Sequence, residues 1–157
     1  MWILMLGLAC GPKGADGETI TVEDYAPAPD LLLEYAPLGT PDAGSTRVTV
    51  TTTTWEVETP DGAITSMTWE IGGTGLTLDG TLILPDPPTQ GTAGDGAEVT
   101  EVGTWEVWYG AFEDTVTVEV SSGALAGTNV FGKGLGPIYL TMGGGPWELV
   151  YYQRSVD

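Results

Sequence analysis

Apolar and polar side chains alternate residue by residue in several stretches of this chain, and Asp-Gly pairs interrupt those stretches. A period of two is typical of a β-strand with one buried face, and no window of ten residues shows the 3.6-residue period of a helix. A Trp-Glu-aliphatic tripeptide, which fits this pattern, begins at four positions: Trp55, Trp69, Trp105 and Trp147. The sequence therefore predicts an all-β, antiparallel domain.

Two hairpins are predicted in detail. A turn at Asp61-Gly62 pairs Trp55 with Met67 and Val57 with Thr65. In the second hairpin, Gly110-Ala111 is predicted as a two-residue loop. Its inward face is then Trp105, Val107, Tyr109, Phe112, Asp114, Val116, Val118 and Val120. Its outward face is Glu106, Trp108, Glu113, Thr115, Thr117 and Glu119.

Further strands are predicted at 19–25, 31–38, 47–58, 75–84, 137–142 and 146–154, which makes about nine or ten in all. Within 47–58 the apolar positions change from even to odd across four threonines, which predicts a bulge or a bend in one strongly curved strand. Short antiparallel connections favour an up-and-down β-barrel of about eight to ten strands. An orthogonal β-sandwich is the alternative.

Charge excludes several function classes. Four basic residues stand against 22 acidic ones, so the net charge of -18 repels phosphate and excludes nucleic acid as a partner. The chain has no His and one Cys, which removes Ser-His-Asp and Cys-His catalysis and multi-Cys zinc sites. At most a few ion pairs can form, and most carboxylates are expected to be solvated.

The N-terminal residues predict where the protein is located in the cell. Residues 1–9 are apolar and end on a small residue directly before Cys10, as in a short signal peptide. Residues 10–17 are rich in Gly and read as a flexible tether, which leaves 18–157 as one all-β domain. The alternative interpretation is a buried N-terminal strand with an incidental free thiol.

The run Leu6-Gly7-Leu8-Ala9-Cys10 resembles the lipobox of bacterial lipoproteins. That resemblance implies export, lipidation of Cys10 as the new N-terminus and attachment to a membrane of the cell envelope. Gly11 after the cysteine implies the outer membrane. A further resemblance, to lipocalin-like β-barrel lipoproteins, is carried by Gly103-Thr104-Trp105 and by the Trp-containing closing strand 146–154.

Candidate site residues follow from these patterns. An inward tryptophan stripe with one acid predicts a cavity for a small apolar or sugar-like ligand: Trp55, Trp69, Trp105, Trp147 and Asp114. A filled core is the competing interpretation of that stripe. Three acids around the loop 85–97, Asp86, Asp95 and Glu98, are the candidates for a weak Ca²⁺ site, and no other cofactor is expected.

Three functions are compatible with these patterns. The first is a lipid-anchored extracytoplasmic β-domain with a structural or protein-interaction role in the cell envelope, for which Trp108 is the exposed contact candidate. The second is a ligand-binding barrel of lipocalin type. The third is a carboxylate-only hydrolase. Glu101 and Asp114 lie roughly 20 Å apart on the predicted register, whereas catalytic carboxylates lie about 5 to 10 Å apart, so we expect no enzyme.

Overall fold

The computed structural model describes residues 19–143 and 145–154 of the chain. The predicted signal peptide 1–9, the lipidation site Cys10 and the tether 10–17 lie outside the described residues. A 3₁₀ helix at Val22–Tyr25 precedes the first strand. The strands are β1 Leu31–Pro37, β2 Thr46–Val50, β3 Thr54–Glu58, β4 Ile64–Gly72, β5 Gly75–Leu78, β6 Thr81–Pro85, β7 Ala93–Gly94, β8 Ala97–Val107, β9 Gly110–Val120, β10 Gly127–Gly132, β11 Gly136–Met142 and β12 Gly145–Arg154.

These twelve strands form one antiparallel sheet that curls into a nearly closed barrel. Its order is β6-β5-β4-β3-β2-β1-β12-β11-β10-β9-β8-β7, so consecutive strands are neighbours except β6 and β7, and the first strand also pairs with the last. The two edges are β6 and β7, and β6 packs beside β8 across the seam. The all-β antiparallel barrel is confirmed, with twelve strands rather than the eight to ten that were predicted.

Two of the predicted strands are each two strands. The segment 47–58 contains a turn at Thr51–Thr53, and the Thr51 hydroxyl accepts a hydrogen bond from the Thr54 N–H at 3.0 Å. The change of apolar phase is therefore a hairpin, and the predicted bulge or bend is wrong. The segment 75–84 is divided at Asp79-Gly80, where both residues have positive φ, as a tight two-residue turn requires.

Three other elements were also missed, one of which is the two-residue strand β7. The segment 19–25, predicted as a strand, contains the 3₁₀ helix, which is capped by a hydrogen bond from the Thr21 N–H to the Asp24 carboxylate at 2.9 Å. Val22 and Tyr25 are buried, and the Gly134 N–H donates to the Asp24 carbonyl at 2.7 Å. The helix thus closes the end of the barrel at which β10 and β11 meet. Strand β10 lies between glycine-rich segments, and no strand was predicted there.

Large buried side chains fill the space inside the sheet. Trp55, Tyr35 and Phe131 are almost completely shielded from solvent, together with leucines and valines from most strands. The Tyr35 hydroxyl donates to the Pro137 carbonyl at 2.6 Å, and burial raises the pKa of this phenol well above its ordinary value. The interior is therefore a packed core.

The β3–β4 hairpin has the predicted register. Trp55 pairs with Met67 and Val57 with Thr65, and Gly62 takes a φ of 84° in the turn. The inward residues Trp55, Val57, Met67 and Trp69 are buried and Ile71 is partly buried. This regular hairpin forms one wall of the core.

The β8–β9 hairpin departs from its predicted register. Its turn lies at Trp108-Tyr109, because Val107 pairs with Gly110 and Trp105 with Phe112. The pairing also shifts twice, between Val99 and Glu101 and between Gly103 and Trp105. Each shift inserts an unpaired residue into one of the two strands. The predicted inward Val107, Val116, Val118 and Val120 are buried, as predicted. The predicted outward Thr115 and Thr117 are buried as well, and the predicted inward Tyr109 and Asp114 are exposed.

Candidate functional site

The tip of the β8–β9 hairpin leaves its own strand neighbours and reaches β12. Strand β10 pairs with β9 only over 115–120, so the preceding part of β9 extends beyond it. At the tip, the Trp108 N–H donates to the Glu148 carboxylate at 2.8 Å and the Tyr109 N–H donates to the Leu149 carbonyl at 3.2 Å. Because β10 and β11 separate β9 from β12 in the sheet, these bonds connect strands that are not neighbours in the strand order.

Glu148 and Tyr139, which the hairpin contacts, lie on the outer face of the barrel. They pair with each other, and both point away from the side of β12 that carries Leu149 into the core. The Trp105 ring packs against Tyr139 with 5.7 Å between the ring centroids. Trp105 is half-buried and also packs against the hydrophobic core, and a ligand cavity lined by its ring stays a prediction.

The Glu148 side chain connects the hairpin tip to β12. Its carboxylate accepts the Trp108 N–H through one oxygen and the Gly39 N–H through the other, at 2.8 Å and 3.0 Å. Hydrogen bonds to an ionised carboxylate are stronger than those between neutral groups. Glu148 is buried, although its motif position predicted a solvated charge. Sequence alone held no signal for this role, because Glu56, Glu70 and Glu106 occupy the same motif position.

Four aromatic rings gather at the hairpin tip, of which Trp108 and Tyr109 are exposed while Phe112 and Tyr152, the latter in β12, are partly buried. We call Trp108, Tyr109, Phe112 and Tyr152 the aromatic tip. The Tyr109 ring centroid lies 4.9 Å from that of Tyr152 and 6.1 Å from that of Phe112. Trp108 is 63% exposed and Tyr109 46% exposed, so the predicted exposure of Trp108 is confirmed. The carboxylates of Glu106 and Glu113 are exposed on the same hairpin.

The other predicted ligand-site tryptophans do not surround one cavity. Trp55 is 1% exposed in the filled core, and the Trp69 indole N–H donates to the Thr51 carbonyl at 3.2 Å near one barrel end. The Trp147 indole N–H donates to the Met142 carbonyl at 2.9 Å near the opposite end. The structure therefore separates these residues instead of grouping them around a ligand.

Asp114 is also placed differently from the prediction. It has a φ of 54°, in the left-handed region, and its side chain is exposed at a register shift in β9. The Tyr25 hydroxyl is buried without a hydrogen-bond partner in the described part of the chain. Burial raises the pKa of Tyr25, and the charges of Asp114 and Asp24 raise it further. Asp114 thus marks a bulge on the surface and does not face a tryptophan-lined cavity.

One open pocket lies at the end of the barrel opposite the 3₁₀ helix. Its volume is about 360 Å³, and its walls come from the ends of β2, β3, β4, β11 and β12 and from the β9–β10 loop. Every lining residue is uncharged: Thr46, Val57, Thr59, Thr65, Met67, Ala124, Met142, Gly143 and Trp147. Trp147 is the one member of the predicted ligand set that lines it.

The predicted Ca²⁺ ligands do not form a metal site. Within residues 19–143 and 145–154, no three acidic, His or Cys side chains are grouped so that they could hold a metal ion. Asp95 instead takes a φ of 36° in the turn between β7 and β8. Asp86, directly after β6, and Glu98, in β8, are exposed to solvent. The cluster predicted from Asp86, Asp95 and Glu98 is therefore not assembled.

Most of the negative charge is spread over the surface. Arg47 forms the ion pairs found among the described residues, with Glu34 at 3.3 Å and Glu58 at 3.7 Å. The expectation of few ion pairs is confirmed for this part of the chain. An exposed surface of this kind attracts basic groups and repels acidic ones over the screening length of the solution.

Comparison with known proteins identifies no relative of this chain. No family model, curated protein or solved structure matches the chain. Among the described residues there is no helix that is long and apolar enough to cross a bilayer. The functional argument therefore rests on the aromatic tip, the open pocket and the N-terminal sequence.

Proposed function

We propose that this protein is a lipid-anchored, extracytoplasmic domain of a bacterial cell envelope that binds a protein partner through its aromatic tip. The anchor is a lipid on Cys10, and 10–17 is the tether between the membrane and the barrel. Support comes from the lipobox-like run before Cys10 and from the Gly-rich residues behind it. The outer membrane is the proposed location, because Gly11 follows the cysteine.

The resemblance to lipocalin-like lipoproteins belongs to this proposal as well. It is supported by the up-and-down order of the strands and by the Trp-containing last strand, β12. The twelve strands exceed the eight of lipocalin barrels. For this reason the proposal transfers no ligand and no site residue from that family.

The observation that carries the protein-interaction role is the exposure of Trp108 on a backbone that is held in place. Its N–H is bonded to the buried Glu148 carboxylate, and its neighbour Tyr109 is packed between Phe112 and Tyr152. Tryptophan and tyrosine dominate the binding energy of many protein interfaces. A ring presented on an ordered turn loses little conformational entropy on binding.

Charge indicates the chemistry of the partner. Glu106 and Glu113 lie on the hairpin that carries Trp108, and the whole chain has a net charge of -18. An arginine side chain can stack on an exposed indole while its guanidinium meets a nearby carboxylate. The proposed partner is therefore a basic protein surface rich in arginine.

The experiment measures binding of an arginine- and glycine-containing decapeptide by calorimetry at low salt. Trp108→Ala is expected to weaken binding at least about fivefold, because a cation–π contact contributes about 1 kcal/mol or more. Ile64→Ala is the matched control, since Ile64 is a 69% exposed apolar residue of a different hairpin. Equal affinities of the two variants would contradict the proposed role of the aromatic tip.

The anchor has its own test. Cys10→Ala in the full chain is expected to move the protein from the membrane fraction to the soluble fraction and to leave its β-sheet circular dichroism unchanged. Ser45→Ala serves as a control for handling of the fractions, because its hydroxyl is remote from the N-terminal segment in sequence. Membrane association that persists after Cys10→Ala would refute the lipid anchor.

A further inference from the structure

The open pocket at the barrel end has a lining without charged side chains. Acidic residues make up 22 of the 157 positions, yet none of the nine lining residues is charged. Three strand ends on one side and two on the other form its walls, so the pocket is built on the sheet itself. We propose that this pocket binds the hydrocarbon part of one uncharged amphiphile. The inference does not depend on the proposed protein partner.

The walls suit a flexible hydrocarbon. Val57 and Met67 on one side face Met142 and Trp147 on the other. Methionine side chains are unbranched and polarizable, so they adapt to irregular apolar shapes. The indole of Trp147 is fixed by its hydrogen bond to the Met142 carbonyl at 2.9 Å, which keeps one wall rigid. The volume of about 360 Å³ lies near the lower end of the roughly 300 to 1,000 Å³ typical of small-molecule sites.

Polar side chains at the mouth of the pocket can contact the headgroup of the ligand. Thr59 and Thr65 lie at the β3–β4 end of the lining, where the side chain of Thr65 is exposed. A hydroxyl can donate or accept a hydrogen bond, so this rim accommodates an alcohol or an ester. No cationic side chain lines the pocket itself, and Arg47, in the adjoining groove that Thr59 also lines, is paired with Glu34 and Glu58. The ligand class is therefore a neutral headgroup on a single chain.

The negative net charge of the protein disfavours the binding of anionic ligands. A net charge of -18 lowers the local concentration of negatively charged ligands, and no lining residue compensates for that repulsion. We therefore expect a neutral chain to occupy the pocket in preference to an anionic one.

Ala124 offers a way to block the pocket without disturbing the core. It lies in the loop between β9 and β10, is exposed to solvent and lines the pocket. Ala124→Phe is expected to fill the opening. Ala126→Phe is the matched control, because Ala126 is exposed in the same loop and is not part of the lining.

The test uses 1-decanol below its solubility limit, with calorimetry as the readout. The unaltered protein is expected to bind it saturably at one site, and Ala124→Phe to weaken binding at least about tenfold, while Ala126→Phe leaves the affinity unchanged. Decanoate is expected to bind at least about tenfold more weakly than decanol.

Several results would overturn this inference. Absence of saturable decanol binding, or an undiminished affinity in Ala124→Phe, would show that the pocket takes no hydrocarbon chain. Decanoate affinity equal to that of decanol would refute the neutral ligand class. Trp108→Ala is expected to leave decanol binding unchanged, so failure of the protein-partner proposal and failure of this one are distinguishable.

Discussion

The β3–β4 and β8–β9 hairpins start from the same tripeptide and end in different layers of the molecule. Trp55, in β3, is buried in the barrel core, whereas Trp105, in β8, packs half-buried against Tyr139 on the outer face. The β3–β4 pairing is regular along its length, and the β8–β9 pairing shifts twice. A period of two thus identifies one face of a strand, but the bulges decide which layer that face meets.

The largest effect is expected inside the barrel. Trp55→Ala should lower the free energy of unfolding by about 3 to 5 kcal/mol, the usual cost of truncating a buried aromatic side chain. Chemical denaturation measures this change. Trp55→Phe is the control, because it retains an aromatic ring at the site and should lose less. A loss from Trp55→Ala no greater than that from Trp105→Ala would remove the contrast between the two layers.

An intermediate effect is expected on the outer layer. Trp105→Ala should cost roughly 2 kcal/mol, because a half-buried ring removes less apolar area from water than a core ring. The change should also speed hydrogen exchange of the Trp108 and Tyr109 amides, which fasten the hairpin tip to β12. Exchange rates that stay unchanged at these two amides would show that Trp105 does not hold the tip down.

A smaller effect is expected at the bulge itself. Asp114 has a φ of 54°, and a β-branched residue is strained in that region, so Asp114→Val should cost about 1 to 2 kcal/mol. Asp114→Gly should be neutral or slightly stabilising, since glycine adopts this conformation readily. Glu113→Val controls for the loss of a charge next door. Equal costs for Asp114→Val and Glu113→Val would contradict a left-handed bulge.

The smallest effect is expected on the solvated faces of both hairpins. Glu56→Ala and Glu106→Ala should each change the free energy of unfolding by no more than about 0.5 kcal/mol, because both side chains are exposed. Thermal denaturation at matched salt measures this pair. A cost above about 1 kcal/mol at either position would indicate that the strand faces have been reversed at that hairpin.

The sequence was sufficient where a local signal determines the geometry. Asp61-Gly62 fixed the β3–β4 register, and Trp108 was correctly predicted to be exposed. These features depend on residues close together in the chain, as does the alternation that predicts an all-β fold. The predicted loop at Gly110-Ala111 failed, because bulges and the contact with β12 place the turn two residues earlier.

The rest depends on contacts between distant strands. Nothing near Glu148 in the sequence distinguishes it from Glu106, yet the folded chain buries the first and exposes the second. The open pocket likewise combines ends of strands that are far apart in sequence, and the predicted grouping of the tryptophans does not occur. Such features require knowledge of which strands become neighbours, and a period-two pattern does not contain it.

The pairing of β1 with β12 has a kinetic consequence. It joins Leu31 with Arg154 and Pro37 with Trp147, so the two halves of the sheet, β1 to β6 and β7 to β12, are connected only when the last described strand is present. Such long-range pairing carries the loop-closure entropy of more than a hundred residues and slows folding. A chain synthesised from its N-terminus can form the local hairpins early, but β1 waits for its second partner until β12 has been made. Joining of the two halves of the sheet is therefore expected to be a late step in folding.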